Sequence, residues 1–173
     1  MTTHSRPALS VRPAQPGDYP ALARLWALFR HDLSEFTGAL PDRQGRFRQE
    51  RLNSALAEPG RRAYLITLDG AAVGLAIVRA LDCTEHVLSS FFLARAARRQ
   101  GHGLAAARQV LRDHPGAWTV AYQDANRPAV AFWRSVATDA AGAAWSEEHR
   151  PVPGRPELPP DTWIRFNVRA AKD

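Results

Sequence analysis

The sequence is short of several things, and each shortage excludes a class of protein. Of 173 residues one is cysteine, one is methionine, and a single lysine, Lys172, stands among 23 basic residues. Cys83, without a second thiol, cannot form an internal disulfide. It also lacks a basic neighbour and a following helix start, so it reads as an inert thiol rather than a nucleophile. No apolar run is long enough to cross a bilayer and the N-terminus has no signal-like apolar core, which makes the cytoplasm the expected location. The six histidines (4, 31, 86, 102, 114 and 149) show neither H-x-x-x-H nor cysteine-paired spacing, so no metal site is expected. There is no G-x-S-x-G elbow, no Walker loop, no internal repeat and no sign of a second core.

What is present suits one globular α/β domain, with 45% hydrophobic residues to build a core. The net charge of +6 is carried almost wholly by arginine and favours anionic partners. Residues 1–8 and 170–173 read as tails around a domain spanning 9–169. Alternation over Leu9 to Arg12 predicts a short strand, and Asp18 an N-cap. The stripe Tyr19, Leu22, Leu25, Trp26, Phe29 and Leu33 predicts an amphipathic helix. A break at 38–46 and a weaker helix from Phe47 to Ala57 follow, then a hairpin turning on Asp69-Gly70. A strand from His86 to Leu93, a helix from Leu104 to Arg112 and a strand from Ala117 to Tyr122 come next. Asn126 can cap a short helix with Pro128 in its first turn, and two strands, 143–149 and 162–168, complete the order β-α-α-β-β-β-α-β-α-β-β.

The segment "ARAARRQGHGLAAAR" (94–108) raises the functional question. The first N–H groups of a helix lack partners within it and sit at the positive end of its dipole, so they gather anionic oxygens. Gly101 and Gly103 remove Cβ atoms that would hold a ligand away, and Arg95, Arg98 and Arg99 add donors suited to phosphate. Three readings compete: a solvated basic loop with ordinary turn glycines, a dinucleotide fingerprint, and a coenzyme A loop. Gly101, Gly103 and Ala106 formally satisfy G-x-G-x-x-A, but six residues separate the strand from Gln100 and the strands upstream form an antiparallel hairpin, which argues against the dinucleotide reading.

"RRQGHG" (98–103) resembles the R/Q-x-x-G-x-G/A signature of the GNAT superfamily of N-acetyltransferases. "NRPAVAFW" (126–133) is similar to that superfamily's N-x-x-A-x-x-F-[Y/W] segment. "SSFFLARAARRQGHG", together with "DLSEF" near the first helix, also resembles a bacterial subgroup of predicted acetyltransferases. The resemblance spans residues 9–168 and implies the GNAT acyl-CoA N-acyltransferase fold, a mixed, mostly antiparallel sheet flanked by about four helices. It implies acetyl-CoA as cosubstrate and an amine-bearing acceptor. Arg98, Arg99, Gln100, Gly101, His102, Gly103 and Leu104 would lie at the pyrophosphate. The strand holding Phe91, Phe92 and Leu93 would pair with the pantetheine arm and the Leu93 N–H would steady the oxyanion, while Asn126 would contact the arm from the other side, Phe132 would pack beneath it and Trp133 would face its sulfur end.

Direct transfer needs a deprotonated amine, an oxyanion donor and a departing thiolate. Many relatives have a glutamate just before the two aromatics of the fourth strand, where this chain has Ser90, and a tyrosine where it has Trp133, whose indole is a poor proton source. Candidate replacements are Ser90 itself, Glu85 or His86 at the strand start, and Asp32 or Glu35 in the loop expected to wall the acceptor site. Two alternatives stand beside the enzyme: an acyl-CoA-binding module without turnover, and a nucleic-acid binder. The arginines are spread along the whole chain with no RNA-module signature, which argues against the latter. The acceptor's identity, and the choice between monomer and homodimer, are left open.

Overall fold

The computed structural model describes residues 7–170; most of both expected tails, including Lys172, lies outside them. The chain folds into strands β1 (Leu9–Pro13), β2 (Arg62–Leu68), β3 (Ala71–Arg79), β4 (Glu85–Leu93), β5 (Gly116–Tyr122), β6 (Trp145–Arg150) and β7 (Asp161–Val168). Four helices, α1 (Tyr19–Thr37), α2 (Glu50–Ala57), α3 (His102–Arg112) and α4 (Arg127–Ala141), cover the sheet. The strands form one seven-stranded sheet in the order β1-β2-β3-β4-β5-β7-β6. Every neighbouring pair is antiparallel except β4 and β5, which run parallel. Element order, mixed sheet and helix number match the expectation.

Side-chain alternation along β2, β3 and β4 divides the core between the two faces of the sheet. One face carries Tyr64, Ile66, Ala76 and Val78 and packs with Ala106, Ala107 and Val110 of α3 and Val130, Trp133 and Val136 of α4. The other carries Leu65, Leu75, Ile77 and Phe92 and packs with Leu22, Leu25 and Trp26 of α1 and Leu52 and Ala55 of α2. The fully buried Trp26 also donates through Nε1 to the Arg48 carbonyl at 2.8 Å, which fastens the connection between α1 and α2 onto α1.

Three expectations need correction. Asp32 and Glu35 lie in the last turns of α1, not in a loop, because the helix runs on to Thr37. Gly38, with φ of 65°, is the residue that takes the left-handed cap, its N–H donating to the Ser34 carbonyl. Helix α3 begins at His102, two residues earlier than predicted, since Gly101 at φ 82° is itself the N-cap. Asp18 occupies the N-cap position of α1, but its carboxylate serves the 3-10 turn before it, accepting from the Gln15 N–H at 2.7 Å and from Arg12 at 2.6 and 2.8 Å. These bonds draw its pKa down to about 2, the Arg12 bond being the largest cause.

Candidate functional site

The parallel strand pair opens where the site is expected. β4 and β5 are paired from Glu85–Ala117 to Leu88–Val120, and there the ladder stops, although β4 continues to Leu93 and β5 to Tyr122. The cause lies on the other edge of β4. Its register against β3 slips between Leu88 and Ser90, leaving Ser89 as an extra residue, and such a bulge bends the strand and increases its twist. Beyond the bulge β4 stays paired to β3 as far as Leu93–Gly74. The Ala94 N–H donates to the Val73 carbonyl at 2.7 Å. Strand alternation therefore turns the main-chain groups of Phe91 and the Leu93 N–H toward the gap beside β5, where an extended polar ligand can complete the edge.

The arginine-glycine segment closes the mouth of this gap. Arg99 and Gly101 take left-handed φ values of 61° and 82°. A helix start leaves four amides without partners. Here six consecutive amides, Arg99 to Leu104, find no acceptor among the described residues, and the first bond into the helix is Ala105 N–H to the Gly101 carbonyl at 3.1 Å. Left-handed residues between helical ones curl such amides into an anion-binding nest. The arginine side chains divide differently from the expectation that their donors would serve phosphate. Arg98 donates through Nε to the Leu93 carbonyl at 2.7 Å and through Nη2 to Asp32 at 2.5 Å, and lies over the Phe92 ring at 5.5 Å. Its charge is spent on holding β4 to α1. Gln100 donates to the Ala96 carbonyl at 2.9 Å, while Arg99 is exposed and His102 is buried. A Cβ on Gly103 would lie 3.2 Å from the Phe132 ring and 3.6 Å from Leu93, so the absent side chain serves packing against α4.

Phe91, Phe132 and Trp133 form an aromatic floor on the α3–α4 side of the gap, with Phe91 stacked on Phe132 at 5.4 Å and Trp133 edge-on to both. Asn126 caps α4, its Oδ1 accepting from the Ala129 N–H at 3.2 Å. Loop, β4 edge and aromatic floor are thus brought together, since Gly103 faces both Leu93 and Phe132.

On the opposite face Ser90 is buried, and its hydroxyl donates to the Ser89 carbonyl at 2.8 Å. Arg51 of α2 reaches over the bulge, donating to the same carbonyl at 3.0 Å and to Ser90 Oγ at 3.3 Å. Sequence reasoning missed Arg51; it sits in a short helix with nothing in its spacing to mark it, and only the sheet brings it to Ser90.

The proposed carboxylates are elsewhere or engaged. Glu85 pairs with Arg165 of β7 at 2.6 Å, and lies eight residues from Leu93, roughly 25 Å along the strand. His86 meets the Ala80 carbonyl at 3.2 Å and the Trp118 ring at the same far end. Desolvation alone would raise the Asp32 pKa, but the hydrogen bonds from Arg98 and Arg95 outweigh it and hold the carboxyl below its ordinary value. Glu35 is exposed. Two surface hollows of about 420 and 500 Å³ lie away from the gap, one against Ala117 and Trp145 and the other under residues 40–50. Neither includes the loop at 99–104. Among the described residues no group of three or more His, Cys, Asp or Glu is gathered as for a metal ion, and no helix is long and apolar enough to cross a membrane.

An α/β sheet whose single parallel strand pair opens beside a nest of free amides is the arrangement of the GNAT fold. The model of the Acetyltransferase (GNAT) family matches residues 24–137, and the chain belongs to that family. No curated protein sequence matches it significantly. Among solved structures it is similar to an acetyltransferase from Thermus thermophilus, with 20% identity, 93% of this chain and 97% of that chain covered, and a TM-score of 0.65. It is similar also to the ribosomal-protein-S18-alanine N-acetyltransferase of Escherichia coli, at 14% identity, 96% and 97% coverage and a TM-score of 0.64. A GNAT family acetyltransferase from Elizabethkingia anophelis with acetyl-CoA bound aligns at 10% identity, 92% and 98% coverage and a TM-score of 0.60.

Proposed function

We propose that the protein is an N-acetyltransferase that moves an acetyl group from acetyl-CoA to a primary amine by direct attack. The observation that carries this reading is the run of six unpartnered amides, Arg99 to Leu104, at the mouth of a strand pair that opens after Leu88. The bound acetyl-CoA of the Elizabethkingia relative and the N-acetyltransferase name of the Escherichia relative support it. The amides of residues 99–104 and the Arg99 side chain would hold the pyrophosphate. The main chain of Phe91 would pair with the pantetheine arm, while Asn126, Phe132 and Trp133 bound its other side. As the amine lone pair forms the C–N bond, the Leu93 N–H stabilises the charge building on the thioester oxygen. The C–S bond then breaks, and the proton released from nitrogen passes through water to the thiolate.

Ser90 and Glu85 are both held by arginines, and Asp32 is bridged by two. With Asp32 and Glu85 already engaged, on this reading the amine enters as its uncharged form. For an alkylamine with pKa near 10, kcat/KM should therefore rise about tenfold per pH unit between pH 6 and 8. A plateau near neutrality would show a general base instead, with Glu35 the first residue to replace. Thiol release from acetyl-CoA across a panel of amines tests the activity itself. The arginine on Ser90 also favours a second reading, a coenzyme-binding module without turnover: stabilisation by coenzyme A with no thiol release from any amine would establish it.

A further inference from the structure

The α1–α2 face carries more positive charge than the protein itself neutralises. Arg30 of α1, Arg51 of α2, Arg61 just before β2 and Arg79 at the end of β3 all belong to this side. Arg61 and Arg79 share the alternation of Ala63, Leu65, Leu75 and Ile77, which pack under α1 and α2. Glu58 pairs with Arg61 at 2.7 Å, and Glu50 pairs with Arg48 at 3.2 Å. Arg30, Arg51 and Arg79 make no ion pair among the described residues. The Arg30 Nε is buried and has no hydrogen-bond partner among the described residues. Desolvation, with the neighbouring charges of Arg30, Arg79 and Arg61, lowers the Arg51 pKa; desolvation and Arg48 lower that of Arg30, which Glu50 only partly offsets. Leaving like charges together with an unpartnered buried donor is costly unless an anion joins them. Arg51 uses one nitrogen, Nη1, on Ser89 and Ser90, which leaves its Nε and Nη2 donors for such an anion.

We propose that Arg51, with Arg30, forms the anion-binding half of the acceptor site, so that the preferred acceptor is a small amine bearing a carboxylate or phosphate. Resting on the acetyl-transfer reading, this names its substrate class. A guanidinium fork binds either group in two-point fashion. Its position over the bulge puts the anion near Ser90, three residues along β4 from the Leu93 amide.

The test compares acetylation of matched amines, propylamine against β-alanine and ethanolamine against O-phosphoethanolamine, with the full chain. The acidic member of at least one pair should be preferred at least tenfold in kcat/KM, and which pair shows it separates carboxylate from phosphate. Arg51→Leu should erase that preference through KM. It should leave the thermal shift produced by coenzyme A in place. As a readout apart from turnover, inorganic phosphate at constant ionic strength should raise the melting temperature of the coenzyme A-saturated protein. It should do so less in Arg30→Met, which also serves if Arg51→Leu does not fold. Equal rates within both pairs, or a preference that survives in Arg51→Leu, overturns the inference. If nothing is acetylated, absence of the phosphate effect overturns it. Loss of stabilisation by coenzyme A itself would instead overturn the acetyl-transfer reading.

Discussion

The two faces of the sheet are built from different materials. Under α3 and α4 the interior is aliphatic and aromatic, closed by Trp118, Trp133 and the buried alanines of α3. Under α1 and α2 the apolar cluster is smaller, and its border is a group of arginines, three of them without a carboxylate partner. A face that only has to support the fold can be apolar throughout; a face that meets a charged ligand keeps charges it does not neutralise. The crevice between β4 and β5 is where the two meet, since Phe91 belongs to the first face and Phe92 and Ser90 to the second.

Substitutions on the two faces should therefore differ in sign. Trp133, 6% exposed beneath the crevice, should cost about 3–5 kcal/mol when replaced by alanine, measured by urea denaturation. A value under 1 kcal/mol would mean that the supporting face is not the better packed of the two. Next in size is the loop between them. Coenzyme A at about a hundred times its Kd should add roughly 2.7 kcal/mol of stability, a melting shift of several degrees. Gly101→Val should remove most of that shift, because a β-branched residue is strained at φ 82° and its side chain would crowd the nest. On the arginine face, Arg30→Met should leave stability unchanged or raise it by up to about 1 kcal/mol at low salt, because it removes an unpartnered donor and a repelling charge while keeping the stem. That gain should shrink as salt screens the cluster. The smallest effect is expected at Asp18, whose folded-state pKa lies near 2, below the unfolded value near 3.9. Its contribution is present above pH 4 and lost as the pH falls through 2. The melting temperatures of wild type and Asp18→Asn should therefore differ slightly at pH 7 and converge at pH 2, partial exposure keeping the difference small.

Much of this organisation could be read before any coordinates. The stripe from Tyr19 to Leu33, the Asp69-Gly70 hairpin and the Asn126 cap are local signals, and each element formed where they pointed. The candidate phosphate loop was legible because the orphan amides of a helix start and the glycines beside them are properties of a dozen neighbouring residues. The end of α1 was misjudged, since Asp32 and Glu35 look equally at home in a helix or a loop until Gly38 supplies the cap. Arg98 reads in sequence as one phosphate donor among several. Only when α1 comes against β4 does its guanidinium meet Asp32 and the Leu93 carbonyl.

By itself, then, the amino-acid order determined the succession of strands and helices, the glycine turn at 101 and the family signature, all of which depend on residues within a turn or two of one another. Tertiary structure alone decided where β4 leaves β5, which carboxylates are already paired, and that Arg51 arrives at Ser90 from 39 positions away. Strand register and long-range charge pairing join segments far apart in the chain, and no local preference specifies them.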